Sequence, residues 1–451
     1  MATNMEGDGV SAPLPGRCGF YVVKKRRYCK MIVGRGKAFC GEHANVEHDA
    51  ERIRVPCPLD PKHTVYQDNL EKHLKKCNSR EKLKPVYYIQ DVNAGPQEDE
   101  GLLLDEVPLG ERSKEELNLL IQKLNRAVSG LSLEHEERIL SHPALCDALN
   151  DPKNGDCAFK HLKQQASLLG NMDALGLLGP ERCFIEFGAG KGKLSHWIHV
   201  ALQGSRSVHF MLVERSCTRF KVDGKHKNAD VTFERLQVDI QHLCLRKVPF
   251  LQGEKVPVVG VGKHLCGAAT DLALRCLLDS VEDDEESGEP PRKRVKQEGG
   301  AKRDPAAAGE VSGLAIALCC HHRCDWRHYV GKEFFRERGL GASEFAAFQR
   351  MSSWATCGLR KVAGVEGRPS VGEWGAEEHD QGEDAVPSTL NDVVSAEDRE
   401  RVGRLCKLLI DYGRVHFLHG KGFASDLCYY TSKDVSLENV LLTAVPTSIS
   451  S

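Results

Sequence analysis

The chain has 451 residues, with 62 lysines and arginines against 64 aspartates and glutamates and a formal net charge of −2. That balance excludes a protein drawn to nucleic acid by its overall field, so any such affinity must come from local patches. Its 18 cysteines accompany no apolar run long enough to span a bilayer and no basic start followed by an apolar stretch. Thiols in a reducing compartment are therefore expected, where close cysteine and histidine spacing suggests metal rather than disulfides, with no membrane association.

Residues 1–15 read as disordered. Cys18, Cys29, Cys40 and His43 then follow as C-x10-C-x10-C-x2-H, closing on Cys40-Gly41-Glu42-His43, where a two-residue spacer lets a thiolate and an imidazole reach one tetrahedral ion. Cys57, His63, His73 and Cys77 come next as C-x5-H-x9-H-x3-C. His73 and Cys77 are four apart in a helix-like stretch and share its face, while Cys57 opens a loop containing Pro58 and Pro61. So short a stretch has almost no other core, and the expectation is two structural zinc ions in modules spanning 16–46 and 53–80. Both are basic. Lys24, Lys25, Arg26, Arg27, Lys30, Arg35 and Lys37 crowd the first, interleaved with Phe20, Tyr21, Tyr28 and Phe39, and Lys72, Lys75, Lys76 and Arg80 lie in the second. Such clusters would track a phosphate backbone, and the aromatics would stack on bases or pack around the ion.

Residues 81–154 read as a linker followed by a docking helix. Ser113 and Glu116 form a capping box, and Leu117, Leu120, Leu124, Val128 and Leu131 recur at helical spacing. A large domain is expected over 155–451, opening with a helix near Phe159 to Leu169 that carries Lys160, His161 and Lys163.

That domain is organised around Phe184 to Ser195, an apolar run ending in Glu186, a turn with Gly188, Gly190 and Gly192, and an amphipathic segment. Strand, tight loop and helix in that order make the first unit of a doubly wound α/β sheet. A dinucleotide fingerprint needs a third glycine where Lys193 stands, and a phosphate-binding G-x-x-x-x-G-K-[ST] loop also needs glycine there. What remains, E-x-G-x-G-x-G, resembles the first motif of class I S-adenosylmethionine-dependent methyltransferases. Strands are expected at Val208 to Val213, ending at Glu214, and from Val231 to Asp239 and Ile240. A third runs from Val256 to Gly262 before Lys263-His264-Leu265-Cys266-Gly267, and a helix follows over Ala268 to Leu278. Residues 279–311 read as a disordered insertion whose basic run, Pro290 to Lys296, suggests nuclear import, so nucleus or cytoplasm is expected. The sheet resumes at Gly313 to Leu318 and reaches Cys319-Cys320-His321-His322-Arg323-Cys324-Asp325. Adjacent cysteine and histidine pairs on an extended chain point to opposite faces, so a third zinc there is not expected. Gly341 to Trp354 reads as helix, 363–395 as a second disordered insertion, Arg399 to Tyr412 as helix, and Arg414 to Leu418 and Leu437 to Val445 as strands.

The paired Cys-Cys-Cys-His and Cys-His-His-Cys fingers, FIEFGAGKGKLS, GKHLCG and CCHHRCDW, in this order, resemble the eukaryotic tRNA 2′-O-methyltransferases that modify the fourth position of the acceptor stem. The resemblance covers most of the chain outside the insertions. It implies an α/β, class I Rossmann-like methyltransferase domain preceded by two small zinc-finger modules, and methylation of ribose in tRNAs for glycine, proline and histidine. It also implies S-adenosylmethionine and zinc as cofactors, and tRNA as partner with no obligate protein partner. The cofactor would be held by Glu186, Gly188, Ala189, Gly190, Gly192, Glu214, Asp239 and Ile240, with Glu214 on the ribose hydroxyls and Asp239 near the adenine.

Functional residues of such sheets lie past the carboxyl ends of the strands. That selects Lys263, His264 and Cys266 after one strand, and His321, His322, Cys324 and Asp325 after the next. The expected base is His264 or His321, with Lys263 orienting the hydroxyl or the neighbouring phosphate. A Lys-Asp-Lys-Glu tetrad, common among ribose methyltransferases, cannot be assigned. Two other readings compete. One is a non-catalytic zinc-finger RNA adaptor, against which the intact glycine loop, Glu214 and Asp239 argue. The other is a base or protein methyltransferase, for which Asn/Asp-Pro-Pro-aromatic would be expected where Gly262-Lys263-His264-Leu265 stands.

Overall fold

A computed structural model describes residues 13, 15–23, 27–41, 43, 53–77, 79–80, 84–96, 107–216, 232–279, 309–357 and 394–447. Most of 1–15 and of the expected insertions at 279–311 and 363–395, together with the basic run 290–296 and Lys24, Lys25 and Arg26, lies outside the described residues. The chain divides into two compact units, Met1–Lys84 and Pro85–Ser451.

The first unit is built from fragments. β1 (Tyr21–Val22) pairs antiparallel with β2 (Arg27–Tyr28), and β3 (Arg54–Cys57) with β4 (Asp60–Tyr66), which leads through a 3-10 turn into α1 (Leu70–Leu74). Among the described residues of this unit, the buried apolar side chains are Cys18, Cys40, Cys57 and Cys77. Strands and helices this short cannot hold themselves together, so cohesion must come from what the cysteines bind.

The second unit is a layered α/β assembly. α2 (Lys114–Ala127) opens with the expected capping box, Glu116 N–H donating to Ser113 Oγ and Ser113 N–H to the Glu116 carboxylate. Its buried face, Leu117, Leu120 and Leu124, packs into a cluster with Phe334, Phe335, Phe345 and Phe348. β5 (Glu136–Glu137), α3 (Cys146–Asn150) and α4 (Asp156–Ala174) precede β6 (Arg182–Phe187), α5 (Lys193–Ala201), β7 (Val208–Val213), β8 (Thr232–Leu236) and α6 (Pro249–Gly253). β9 (Val258–Cys266), α7 (Ala268–Leu278), β10 (Val311–Cys319), α8 (Lys332–Glu337), α9 (Ala342–Met351), α10 (Trp354–Cys357), α11 (Ala396–Gly420), β11 (Phe423–Tyr429) and β12 (Val440–Pro446) complete it.

The sheet runs β5-β11-β12-β10-β9-β6-β7-β8. Strands β8, β7, β6, β9 and β10 are parallel, and β12 enters antiparallel between β10 and β11. The chain steps outward from β6 to β7 and β8, then returns to β6's other side for β9 and β10. β6 is therefore the point where the strand order reverses, the place above the carboxyl ends where sheets of this kind form their ligand crevice. Apolar clusters line both faces, one around Phe184, Phe210 and Ala315, the other around Ile185, Met211 and Ile316, as expected for strands buried on two sides.

Four sequence readings need correction. Arg414 to Leu418 is not a strand but the last turns of α11. The buried positions Cys406, Leu409, Ile410, Gly413, Arg414 and Leu418 keep the helical period straight through it. A strand at Phe423–Tyr429 was not anticipated, because its exposed Ala424 and Asp426 and buried Phe423, Leu427 and Cys428 alternate only in part. β9 continues through Lys263 to Cys266 rather than stopping at Gly262, and β10 begins at Val311. Finally, residues 85–96 are not linker. Asn93 is buried and donates through Nδ2 to the carbonyls of Ile240 (2.6 Å) and Leu243 (2.8 Å), and Tyr87 and Tyr88 pack on the sheet core.

Candidate active site and metal clusters

At the carboxyl end of β6 the chain turns through Gly188, Gly190 and Gly192, all with positive φ. At Gly192 a Cβ would stand 2.6 Å from Leu212 Cδ2, so packing as well as conformation demands glycine. At Gly190 a Cβ would meet only Gly188 O at 4.0 Å, which leaves open space above the loop. Arg235 donates to Gly190 O (2.9 Å) and Ala189 N–H to Val213 O (3.1 Å), so the turn is held from two neighbouring strands.

Glu186 does not line the crevice. It is buried, and its Oε2 accepts from Ser195 N–H (2.9 Å) and Ser195 Oγ (2.5 Å). A carboxylate from the strand thus satisfies an orphan amide in the first turn of α5, whose own cap, Gly192, has no side chain to do so. Burial pushes its pKa up to about 7, against the opposing pull of the Ser195 hydrogen bonds and the charges of Arg235 and Lys263.

Glu214, at the end of β7, is half-buried. Its oxygens accept from Gly190 N–H (3.0 Å) and Ser216 N–H (2.9 Å). Each carboxylate oxygen can accept twice, so the anchored group keeps acceptor capacity toward the crevice. Asp239 follows β8 and accepts from Gln241 N–H (3.1 Å), with Arg215 3.7 Å away, while Ile240 is buried beneath it. Sequence reasoning missed what holds this turn. Besides Asn93, Asp91 accepts from Gln241 Nε2 (2.5 Å), and Asp91 N–H donates to His242 Nδ1 (2.9 Å). No local spacing links these residues, since about 150 positions separate the partners.

The end of β9 is irregular. Ala317 pairs with Lys263 and Leu318 with Leu265, which leaves His264 as an extra residue with φ 64°. A bulge of this kind bends the strand and re-aims the side chains around it. Lys263 Nζ lies 2.9 Å from His264 Nε2 and 3.3 Å from His161 Nδ1 on α4. An ammonium carries only donors, so both imidazoles present it an unprotonated nitrogen. By spacing alone His161 is one polar residue of a helix, with nothing local to tie it to β9.

The Cys319–Asp325 segment does not act as one group. His321 is 1% exposed, and its Nε2 lies 2.7 Å from Asp411 Oδ1. Asp411 also accepts from Arg414 Nη1 (2.9 Å), and Arg414 reaches Asp271 Oδ2 (2.7 Å) and Cys324 Sγ (3.1 Å). Burial raises the Asp411 pKa, but His321 and Arg414 outweigh it and hold the carboxyl below its ordinary value. Burial pushes the Cys324 thiol up to about 12, and Asp325 pairs with His328 (2.7 Å). His322 is exposed. Cys319 and Cys320 instead meet Cys266. Opposite-face alternation fails at this point because Cys320 is left-handed, with φ 41°.

In the first unit, Cys18, Cys29, Cys40 and His43 bring one donor atom each to within 4.8 Å of one another, and so do Cys57, His63, His73 and Cys77. His43 offers Nδ1, 3.5 Å from Cys18 Sγ and 3.3 Å from Cys40 Sγ, and its ring stacks on Phe20 at 3.9 Å. His63 and His73 turn their Nε2 atoms together (3.1 Å), with Cys57 and Cys77 sulfurs 3.8 Å apart. Asp60 lies 3.5 Å from His63 Nδ1, on the far side of the ring, where an orienting carboxylate serves a ligand histidine. Thiolates and imidazoles in these sets fit tetrahedral zinc.

A family model described as methyltransferase TRM13 matches residues 163–445, the sheet that carries the glycine loop and the β9 bulge. The chain belongs to the TRM13 methyltransferase family. Two further models match the fingers, a CCCH zinc finger in TRM13 protein over residues 16–44 and a U11-48K-like CHHC zinc finger over residues 54–78. TRM13 relatives are similar along nearly their whole length. The Mus musculus "tRNA:m(4)X modification enzyme TRM13 homolog" is 55% identical over 98% of this chain and 97% of its own. The Homo sapiens homolog is 56% identical over 97% and 96%, and the Saccharomyces cerevisiae enzyme 30% identical over 94% and 95%. No solved structure matches. Among the described residues, no helix is long and apolar enough to cross a membrane.

Proposed function

We propose that this chain is an S-adenosylmethionine-dependent tRNA 2′-O-methyltransferase acting on the ribose at the fourth position of the acceptor stem, in tRNAs such as those for glycine, proline and histidine. Its family membership and the printed names of its relatives support tRNA methylation. The observation that carries the ribose reading is the Lys263–His264–His161 group beside the strand-order reversal. A ribose hydroxyl is a poor nucleophile; one that takes the place of Lys263 at His264 Nε2 meets an acceptor for its proton, with the displaced ammonium alongside as a cation for the emerging alkoxide or a flanking phosphate.

The parallel strands fanning from β6, with the glycine loop at the reversal, support a class I Rossmann-like domain. Gly188, Ala189, Gly190 and Gly192 would hold the methyl donor, Glu214 its ribose hydroxyls, and Asp239 with Ile240 its adenine. Glu186 serves that site from below by fixing the loop. When bound, S-adenosylmethionine supplies a methyl group already activated on a sulfonium, so the chain's own task is in-line positioning and proton removal. His264 takes the proton and Lys263 orients the hydroxyl. The buried, Asp411-bound His321 supports a scaffold role for that residue.

Two zinc ions, one on Cys18, Cys29, Cys40 and His43 and one on Cys57, His63, His73 and Cys77, would hold the fingers. The exposed Lys30, Arg35, Lys37, Lys72, Lys75, Lys76 and Arg80 support electrostatic capture of tRNA by this unit. The basic run Pro290 to Lys296 supports a nuclear as well as a cytoplasmic location. Mass mapping of tRNA incubated with enzyme and labelled donor tests the assignment. Label on the acceptor-stem ribose is the expected result, and label on a base or on protein overturns it.

A further inference from the structure

We propose that Cys266, Cys319 and Cys320 form a third zinc site, a three-thiolate seat with its fourth position open to water, which clamps the strand ends carrying His264 and His321. The three sulfurs lie within 4.8 Å of one another, with Cys266 and Cys319 3.6 Å apart and Cys319 and Cys320 3.2 Å apart. Ligand atoms about 2.3 Å from a tetrahedral ion stand roughly 3.8 Å from one another. The chain contains its own standard for that spacing, because the Cys57 and Cys77 sulfurs of the CHHC finger are 3.8 Å apart.

The backbone is bent to make this group. Cys266 and Cys319 are direct partners across β9 and β10, but only because the bulge at His264 shifts the register by one residue before them. Without the bulge, the side-chain alternation of β9 would send Cys266 to the other face. Cys320 adopts φ 41°, and that turn returns a second sulfur to the same side as Cys319. Left-handed backbone is disfavoured at a non-glycine residue, and both irregularities converge on one set of thiols. A metal that binds only the folded arrangement offsets such a cost.

The chemistry of the set selects the ion. Sulfur donors alone favour zinc over magnesium or calcium, which take oxygen. Three mutually close sulfurs do not suit an iron–sulfur cluster, in which no iron holds more than two cysteine thiolates. No fourth histidine, cysteine or carboxylate joins the group among the described residues. Cys266 and Cys320 are only half-buried, so water can reach the remaining position. The site does not depend on which atom of tRNA is methylated.

Elemental analysis of the full-length protein, purified without chelator, decides the matter. Three zinc ions per chain are expected in the wild type, two in Cys320→Ser and Cys266→Ser, and two in His73→Ala, which loses a finger ion instead. In the native wild type, a thiol reagent should leave Cys320 unmodified until a mercurial displaces metal. Two zinc ions in the wild type, with Cys266 and Cys320 reacting freely or found as a disulfide by peptide mass spectrometry, would overturn the site. Should Cys266→Ser fail to fold, the wild-type stoichiometry and the half-exposed Cys320 variant still give the answer.

Discussion

The two units of this chain solve the same problem by opposite means. Among the described residues of the fingers the buried apolar side chains are cysteines, and the ligand atoms themselves are the interior. In the sheet unit, burial is spread over strands covered on both faces by apolar clusters, and buried charges such as Asp271, Asp411 and Arg414 pair with one another. A core made of one ion is all-or-none, whereas a core of many side chains tolerates bulges, left-handed residues and a buried carboxylate near its rim. The sheet can therefore afford a reactive edge, and the fingers can afford an exposed basic surface.

The sharpest way to break this comparison is to remove one ligand. His73→Ala should unfold the CHHC finger, because structural zinc contributes about 10–16 kcal/mol to such modules. Hydrogen exchange should show loss of protection over residues 54–78, with β6, β7, β9 and β10 unchanged. Protection that persists in the finger would show that it has a core of its own.

Next in size, Gly190→Asp and Glu214→Ala should each abolish measurable S-adenosylmethionine affinity while both proteins stay folded. The first places a charged side chain in the open space above the loop, and the second removes the anchored acceptor. Calorimetry with unchanged affinity in the folded variants would move the donor elsewhere.

The third test separates capture from chemistry. His264→Ala should lower the single-turnover rate about a hundredfold while leaving tRNA affinity near wild type. Neutralising Lys24, Lys25, Arg26 and Arg27 together should do the reverse, weakening tRNA binding and flattening its salt dependence while the rate at saturation changes little. A normal rate in the His264 variant would exclude His264 as the base.

The last test concerns Glu186. Its pKa of about 7, against 4.5 for an ordinary glutamate, means that the folded state keeps a proton the unfolded chain has already lost. The associated stability is fully present below pH 4.5 and is lost as pH rises through about 7. The loss is about 3 kcal/mol, at roughly 1.4 kcal/mol per pH unit. Glu186→Gln keeps an acceptor for Ser195 and should flatten that part of the stability profile. Denaturant melts across this range with an unchanged slope would place the cost on another group.

What the sequence by itself determined about this protein is what short-range spacing can encode. The finger ligands recur at intervals within one short module each, the glycines serve a tight turn within one loop, and Ser113 and Glu116 cap α2 inside one helical turn. Each of these depends on backbone geometry that neighbouring residues share, so residue type and interval suffice. Only the tertiary structure decided the rest. It set Asn93 and Asp91 under the Asp239 turn, committed His321 to Asp411, and carried α11 through Arg414, whose charge is neutralised by Asp271 from another helix. The same holds for the three thiols at the sheet edge. Adjacent cysteines diverge on an ideal strand, and it took a one-residue bulge and a left-handed turn, both products of how β9 packs beside β10, to bring them together.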